Sequence, residues 1–449
     1  MFDALVWASL AIAAFGIVYA YYTSRDVFHP MMFIGPMLIF MYVWMPIKLD
    51  ASGGLEGFFQ KDQLEFVQLI NLAGIACFTI GCLSVGTKAP QLGLTEPIPL
   101  KTTRKLVASG VLLGMVGIAA WSVAIINVGG LYDAFSQAYT GGWDDNGYVR
   151  DAALLMFPGF LLIIAAALNT RVKPSLVLLA VAMVVPWMVQ AFYTSRRGPT
   201  FMITVFLAMG WYMNRRKRPS LVVTGVAGLL LGFLMLFLVT NRHNIYMGSD
   251  QELTTEVTTI VEKPDTGNEY IYGAGSILSA EQRQQFYWGR RYLAQIVVRP
   301  IPHVIWETKY EDFGLPEINR NAGTGEGFVE TLGWEGADGS APGIIADLWL
   351  EFRWLNLPVM YLFGVIFGRV WKKTREIGGP WITQYIIMAA LSIYFVMQTM
   401  EAVIFRTLIL SIPVWLVWKL AGYRQSAVQE PWASRNLRPA AVLLPDFQR

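Results

Sequence analysis

Two adjacent arginines, Arg196 and Arg197, sit where a membrane protein rarely keeps charge. In Ser195-Arg196-Arg197-Gly198-Pro199 they join two apolar stretches so closely that both guanidinium groups must lie at membrane depth or just above it. Charge at that depth is costly unless paired. The two side chains can snorkel to the interface on their apolar stems. Alternatively they clamp an anionic headgroup, because arginine's planar fork grips phosphate oxygens two at a time and lysine cannot. More cations follow: Arg290, Arg291, Arg299, Lys309 and Arg320 lie on a long polar connection, and Glu401 and Arg406 fall between the last two apolar stretches. Glu401 and Arg406 could pair with each other or with neighbouring helices. A pyrophosphate carried on a lipid would need such a cluster if no metal neutralises it. Trp143, Tyr148, Trp288, Trp306 and Trp334 accompany the cations. Ring faces pack on the C–H faces of sugars, although interface belts use the same residues.

Metal and nucleotide chemistry lack their usual residues. His29, His243 and His303 fall far apart, and no His/Cys pair has ligand spacing. Asp144 and Asp145 could hold a divalent ion, but a Trp-Asp-Asp-Asn-Gly stretch also suits an ordinary turn. No Walker motif, Gly-x-Ser-x-Gly elbow or Gly-x-Gly-x-x-Gly after a strand occurs. Cys77 and Cys82 share one apolar stretch, roughly 7.5 Å apart along a helix and too far for a disulfide within it. No metal and no cofactor are therefore expected.

The elements that must position these residues are membrane helices. Of 449 residues, 55% are hydrophobic and 15% charged, and the mean hydropathy is +0.44. That composition argues against a soluble multidomain chain and predicts an all-α polytopic integral membrane protein. A net charge of +3 is too small and too scattered for a nucleic-acid surface. Runs long enough to span fall near 5–22, 31–47, 66–85, 106–127, 152–168, 175–194, 199–213, 221–240, 355–371, 381–398 and 402–421, about eleven helices with 10 to 12 open. No basic n-region precedes the first run, which should stay as an anchor. The odd-numbered connections and the tail carry about 17 Lys and Arg against about 6 on the short even ones. The odd connections are therefore expected to face the cytoplasm, with the N-terminus out and the C-terminus in.

On this division residues 1–240 form a bundle of about eight spans, 241–354 one large extracytoplasmic loop, 355–421 about three spans and 422–449 a disordered cytoplasmic tail. Within the loop, Glu252 to Asp265 is expected to be mobile and Ser279 to Arg299 has helical spacing. Ile344 to Trp354 returns amphipathically, with Asp347 and Glu351 four apart on one face and Trp349 and Trp354 suited to the interface. No internal repeat is visible.

Arg299-Pro300-Ile301-Pro302-His303-Val304-Ile305-Trp306-Glu307-Thr308-Lys309 resembles the Ile-Pro-Arg-x-x-Trp-Pro-x-Lys-like stretch in the outer loop of Wzy-type O-antigen and oligosaccharide repeat-unit polymerases. His303 stands where that family tends to have arginine, and Glu307 where proline is usual. Gly343 to Phe352 looks like the family's Gly-Glu-Leu-Tyr-x-Asn-Phe-Gly entry into the following helix, with Asp347, Trp349, Glu351 and Arg353 replacing Glu, Tyr, Asn and Gly. Ser195 to Pro199 is similar to a Ser-Arg-Gly turn midway along these polymerases, and Arg406 resembles an arginine near the start of their last span.

The resemblance implies a metal-independent glycosyltransferase that acts on polyprenyl-pyrophosphate-linked oligosaccharide at the outer face of a bacterial inner membrane. Membrane lipids and a chain-length co-polymerase would be its partners, and nucleic acid would not. Pyrophosphate leaves as a stable anion, so the reaction asks for cations and for a base on the acceptor hydroxyl. Arg196, Arg197, Arg299 and Arg406 are expected to supply the cations. His303 is the expected base, with Asp347 and Glu326 behind it, although a structural histidine capping a loop fits as well. Arg291, Lys309, Arg320, Trp306 and Trp143 are expected to contact substrate. Two rivals stay open: a lipid-linked oligosaccharide flippase, and a glycan transferase of the O-antigen ligase kind, whose His-Ser/Thr signature is not found here.

Overall fold

A computed structural model describes residues 1–86, 98–138, 147–169, 172–215, 217–256, 268–314, 333 and 341–423. Among these residues the regular structure is helical. The helices that matter for the site are α1 (Phe2–Ser24), α2 (Pro30–Ala51), α3 (Lys61–Ser84), α4 (Leu100–Asn127), α5 (Gly147–Ala167), α6 (Pro174–Tyr193), α7 (Arg197–Asn214) and α8 (Leu221–Thr240). After α8 come α9 (Asn268–Arg283), α10 (Gly343–Phe352), α11 (Asn356–Glu376), α12 (Pro380–Ala390), α13 (Ser392–Met397) and α14 (Met400–Leu420).

Among the described residues, ten stretches are long and apolar enough to cross a membrane: α1 to α6, α8, Gly343–Glu376, Pro380–Met397 and α14. The protein is thus an all-α, polytopic membrane protein. The eleventh expected span, near 199–213, forms α7, which Arg197 and Asn214 at its ends make less apolar than the others. It nevertheless runs from one end of the bundle to the other. At one end, Asp26 accepts from Arg218 Nε at 2.7 Å, Arg375 Nη1 at 3.1 Å and the Trp371 indole at 3.1 Å. Asn169 clasps the Ile98 backbone there, Thr102 donates to the Ala421 carbonyl, and Tyr423 donates to the Ile377 carbonyl. At the opposite end the amino terminus pairs with Glu65, Arg197 with Glu269, and Arg299 with Asp151. The odd connections therefore share one end and the even ones the other, as eleven crossings require.

Two apolar cores hold the bundle. One joins α4, α5, α6, α7, α12 and α14; the other joins α1, α2, α3, α9, α10 and α11. Hydrophobic burial does not drive helices together within lipid, so close packing and small residues must do so. α3 and α11 illustrate this, because a Cβ on Gly364 would overlap the Phe78 carbonyl and one on Gly81 would overlap the Tyr361 carbonyl. α8 is the exception: only 6% of it is buried, so its apolar sides face outward from the bundle.

The long connection does not stand apart from the membrane bundle. Its helix starts at Asn268 and ends at Arg283, earlier than the spacing suggested. The small residues Gly273, Ala274, Ser276, Ser279 and Ala280 let α9 press against α10, with Gly273 against the Pro342 carbonyl. Left-handed backbone at Gln284, Trp288 and Gly289 then interrupts the helix, and helical backbone resumes over Arg290–Leu293 and Ala294–Val298. α10 is not an interfacial helix either, because Trp349 is fully buried and meets Phe66 and Trp354 edge-on. A sharp break at Arg353, where φ is 49° and ψ is −127°, separates α10 from α11. Two bonds from Arg353 to Glu281, of 2.9 and 3.0 Å, tie that break to α9. Most of the stretch expected to be mobile, and the tail from residue 424, lie outside the described residues.

Candidate functional site

The even-connection end gathers most of the charged residues singled out in the sequence, and it sorts them into two adjoining groups. The first group is cationic. Arg406 projects from the second turn of α14, donates to the Ala402 carbonyl at 2.9 Å and stacks 4.3 Å from the centre of the Tyr394 ring. Stacking on an aromatic face suits a planar cation. No carboxylate comes within ion-pairing distance of Arg406 among the described residues, and Arg299, Arg150 and Asp151 lie within electrostatic reach. Arg299 sits 3.6 Å above the Phe405 ring, bonds Gln295 at 3.0 Å and pairs with Asp151 at 3.0 Å. Its carbonyl accepts from the Tyr148 hydroxyl at 2.7 Å. Lys309, also buried, donates to the Ile301 carbonyl at 2.6 Å and so fastens the same loop.

Arg196 and Arg197 reach this end through a left-handed residue, Ser195, at the start of α7. Gly198 packs against Tyr394 so tightly that any Cβ would overlap the ring, which brings Arg196 within electrostatic reach of the Tyr394 phenol. Arg197 pairs with Glu269 of α9, which is only 5% exposed. Burial alone would raise the Glu269 carboxyl, but the Arg197 guanidinium outweighs it and holds the acid below its usual range.

The second group centres on Arg291, which is buried among three acids. It pairs with Asp347, bonds Glu351 through Nε at 2.7 Å and lies 3.6 Å from Glu401. Burial works against a charged guanidinium, yet the three carboxylates hold Arg291 protonated, above the ordinary arginine value. Asp347 also accepts from the Tyr292 hydroxyl at 2.6 Å and the Met400 N–H at 2.8 Å. Glu351 also accepts from the Gly289 N–H at 2.6 Å. The spacing of Asp347 and Glu351 on one helical face is what lets one guanidinium meet both.

This chain matches no family model, no curated protein and no solved structure. What can be said of the site therefore rests on its own geometry. Glu401 and Arg406 do not pair with each other: five residues apart on α14, one faces Arg291 and the other Tyr394. His303 lies exposed in a turn, with no hydrogen bond among the described residues. His29 is buried and caps α2 by accepting from the Met31 N–H, and burial pushes its pKa down to about 4. Trp306 donates to Asp312 at 2.6 Å. Trp143, Asp144, Asp145, Arg320, Glu326 and Trp334 lie outside the described residues. Among the described residues, no group of three or more His, Cys, Asp or Glu side chains could hold a metal ion. Asp151, Tyr394 and Glu269 escaped the sequence reading. Only Asp151 carried a signal, as an acid beside Arg150 at the mouth of an apolar run.

Proposed function

We propose that this protein is a polysaccharide polymerase of the bacterial inner membrane, a metal-independent glycosyltransferase similar to the Wzy-type family. It would transfer a growing glycan from polyprenyl pyrophosphate to the nonreducing-end hydroxyl of an incoming lipid-linked repeat unit. The observation that carries this reading is Arg406, a guanidinium stacked on Tyr394, without an ion pair among the described residues and with Asp151, Arg299 and Arg150 within electrostatic reach. A cation without an ion pair inside a membrane bundle is rare and functional by default. A departing pyrophosphate is the anion such a group suits, because its charge grows in the transition state.

The same end of the bundle is poor in Lys and Arg along its short connections, which makes it the outer end by the positive-inside rule. The active site would then face the periplasm, where flipped lipid-linked units arrive and where a chain-length co-polymerase could act. A flippase has no need of a hundred-residue outer connection, and no internal repeat of the kind transporters carry is visible in the sequence.

Deletion of the gene distinguishes the two readings. The polymerase reading expects single lipid-linked repeat units to be made, carried to the outer face and left unjoined. Units stranded on the cytoplasmic face would support the flippase, and normal polymer in the deletion strain would remove the polymerase.

A further inference from the structure

Three carboxyl groups share one guanidinium around Arg291. Asp347, Glu351 and Glu401 are at most 4% exposed, and the donors around them are shared unequally. Asp347 takes bonds from Arg291, Tyr292 and Met400; Glu351 takes bonds from Arg291 and Gly289. Glu401 is left over. Its one ion pair among the described residues is with Arg291 Nε at 3.6 Å, a nitrogen already bonded to Glu351, and Glu401 Oε1 accepts no hydrogen bond. A buried carboxylate without donors is poorly stabilised as an anion and keeps a lone pair open to a proton.

Its position matters as much as its chemistry. Besides Arg291, Glu401 lies within electrostatic reach of Asp347 and Arg299. Arg406, on the same helix, faces Tyr394 instead, and Arg299 lies within electrostatic reach of both Glu401 and Arg406. Glu401 thus stands where the acidic group meets the cationic one, and the other titratable neighbour is Tyr310. A base for the acceptor hydroxyl must lie beside the cations that receive the leaving group, because the two bonds change at one anomeric carbon.

We infer that Glu401, rather than His303, is the general base of the transfer; this assignment rests on the polymerase reading. The acceptor hydroxyl gives its proton to the Glu401 carboxylate as its oxygen bonds the anomeric carbon. The bond from that carbon to the phosphate oxygen breaks, and its electron pair leaves with the lipid pyrophosphate beside Arg406 and Arg299. Glu401 then returns its proton to water. Asp347 and Glu351 are positioning residues, which take Arg291 Nη2 and Nε and leave Glu401 only the 3.6 Å contact with Nε, while Arg291 Nη1 makes no hydrogen bond.

The test uses the full chain in lipid vesicles, supplied with lipid-linked repeat units extracted from the deletion strain. Glu401→Gln keeps the shape and removes the base. It should lower kcat by about 10²- to 10⁴-fold and leave KM for the lipid-linked unit within a few-fold. Turnover within a few-fold of wild type would overturn the assignment, as would a loss confined to KM, or a His303→Gln chain that is inactive while Glu401→Gln is not. If Glu401→Gln does not accumulate, Glu401→Gly is assayed with and without added formate. Turnover that returns only with formate supports the base; turnover without formate, or none with it, overturns the base. The wild-type lane separates this from the larger reading, since wild-type protein that leaves the units unjoined defeats the polymerase itself.

Discussion

Arginines that look alike in sequence divide by what surrounds them. Arg291 and Arg197 are paired with carboxylates and act within the fold, whereas Arg406, among the described residues, makes no ion pair and lies against the Tyr394 and Phe405 rings and the Ala402 carbonyl. Arg406→Lys would keep the charge and lose both the planar face on Tyr394 and the fork for phosphate. Hydrogen bonds to charged groups contribute about 1.5–3 kcal/mol, so polymer formation in vesicles should fall by about 10- to 150-fold at normal protein levels. Normal polymer from Arg406→Lys would leave this side chain as an interface anchor.

At the scale of elements, Asp26 does for the bundle what Arg291 does for the candidate site. It ties the connection after α1 to those after α7 and α11 through Arg218, Arg375 and Trp371. Burial would raise this carboxyl, but Arg218, the Phe28 N–H and Arg375 prevail and hold it below the ordinary aspartate value. A depressed folded value means that the stabilisation is complete above the unfolded pKa of about 3.9 and is lost as pH falls through the lower folded value. Asp26→Asn should therefore unfold at lower temperature near neutral pH, by an amount equivalent to about 3–5 kcal/mol for one broken buried pair. The gap between variant and wild type should close as pH drops below about 4. Thermal unfolding of detergent-solubilised protein measures both, and a gap unchanged down to pH 2 would show that Asp26 carries no net stabilisation.

For the whole molecule, the contacts at each end of the bundle fix which connections lie together but not which compartment each end meets. The asymmetry of Lys and Arg supplies that choice. Single cysteines at Ser249 and Ser220 flank α8 and test it with a membrane-impermeant reagent. Position 249 should react in intact cells and position 220 only after lysis. The reverse pattern would turn the protein over and place the Arg406 group at the cytoplasmic face, against the polymerase proposed above.

Composition and apolar runs alone determined the all-α membrane class and the position of nearly every crossing, because a span must bury its own backbone polar groups and so announces itself as a continuous apolar segment. α7 was legible for the same reason despite its polar ends. The candidate site was legible only as a set of suspects. Which arginine is spent on an acid depends on residues far away in the chain: Glu269 for Arg197, Asp347 for Arg291, Asp151 for Arg299. No periodicity records such pairings. Burial of α9 and α10 was equally hidden, since small residues that let backbones approach look in sequence like an ordinary polar loop. Tertiary structure alone decided that Glu401 and Arg406, neighbours on one helix, face different partners, because five residues of α-helix carry a side chain well around the axis.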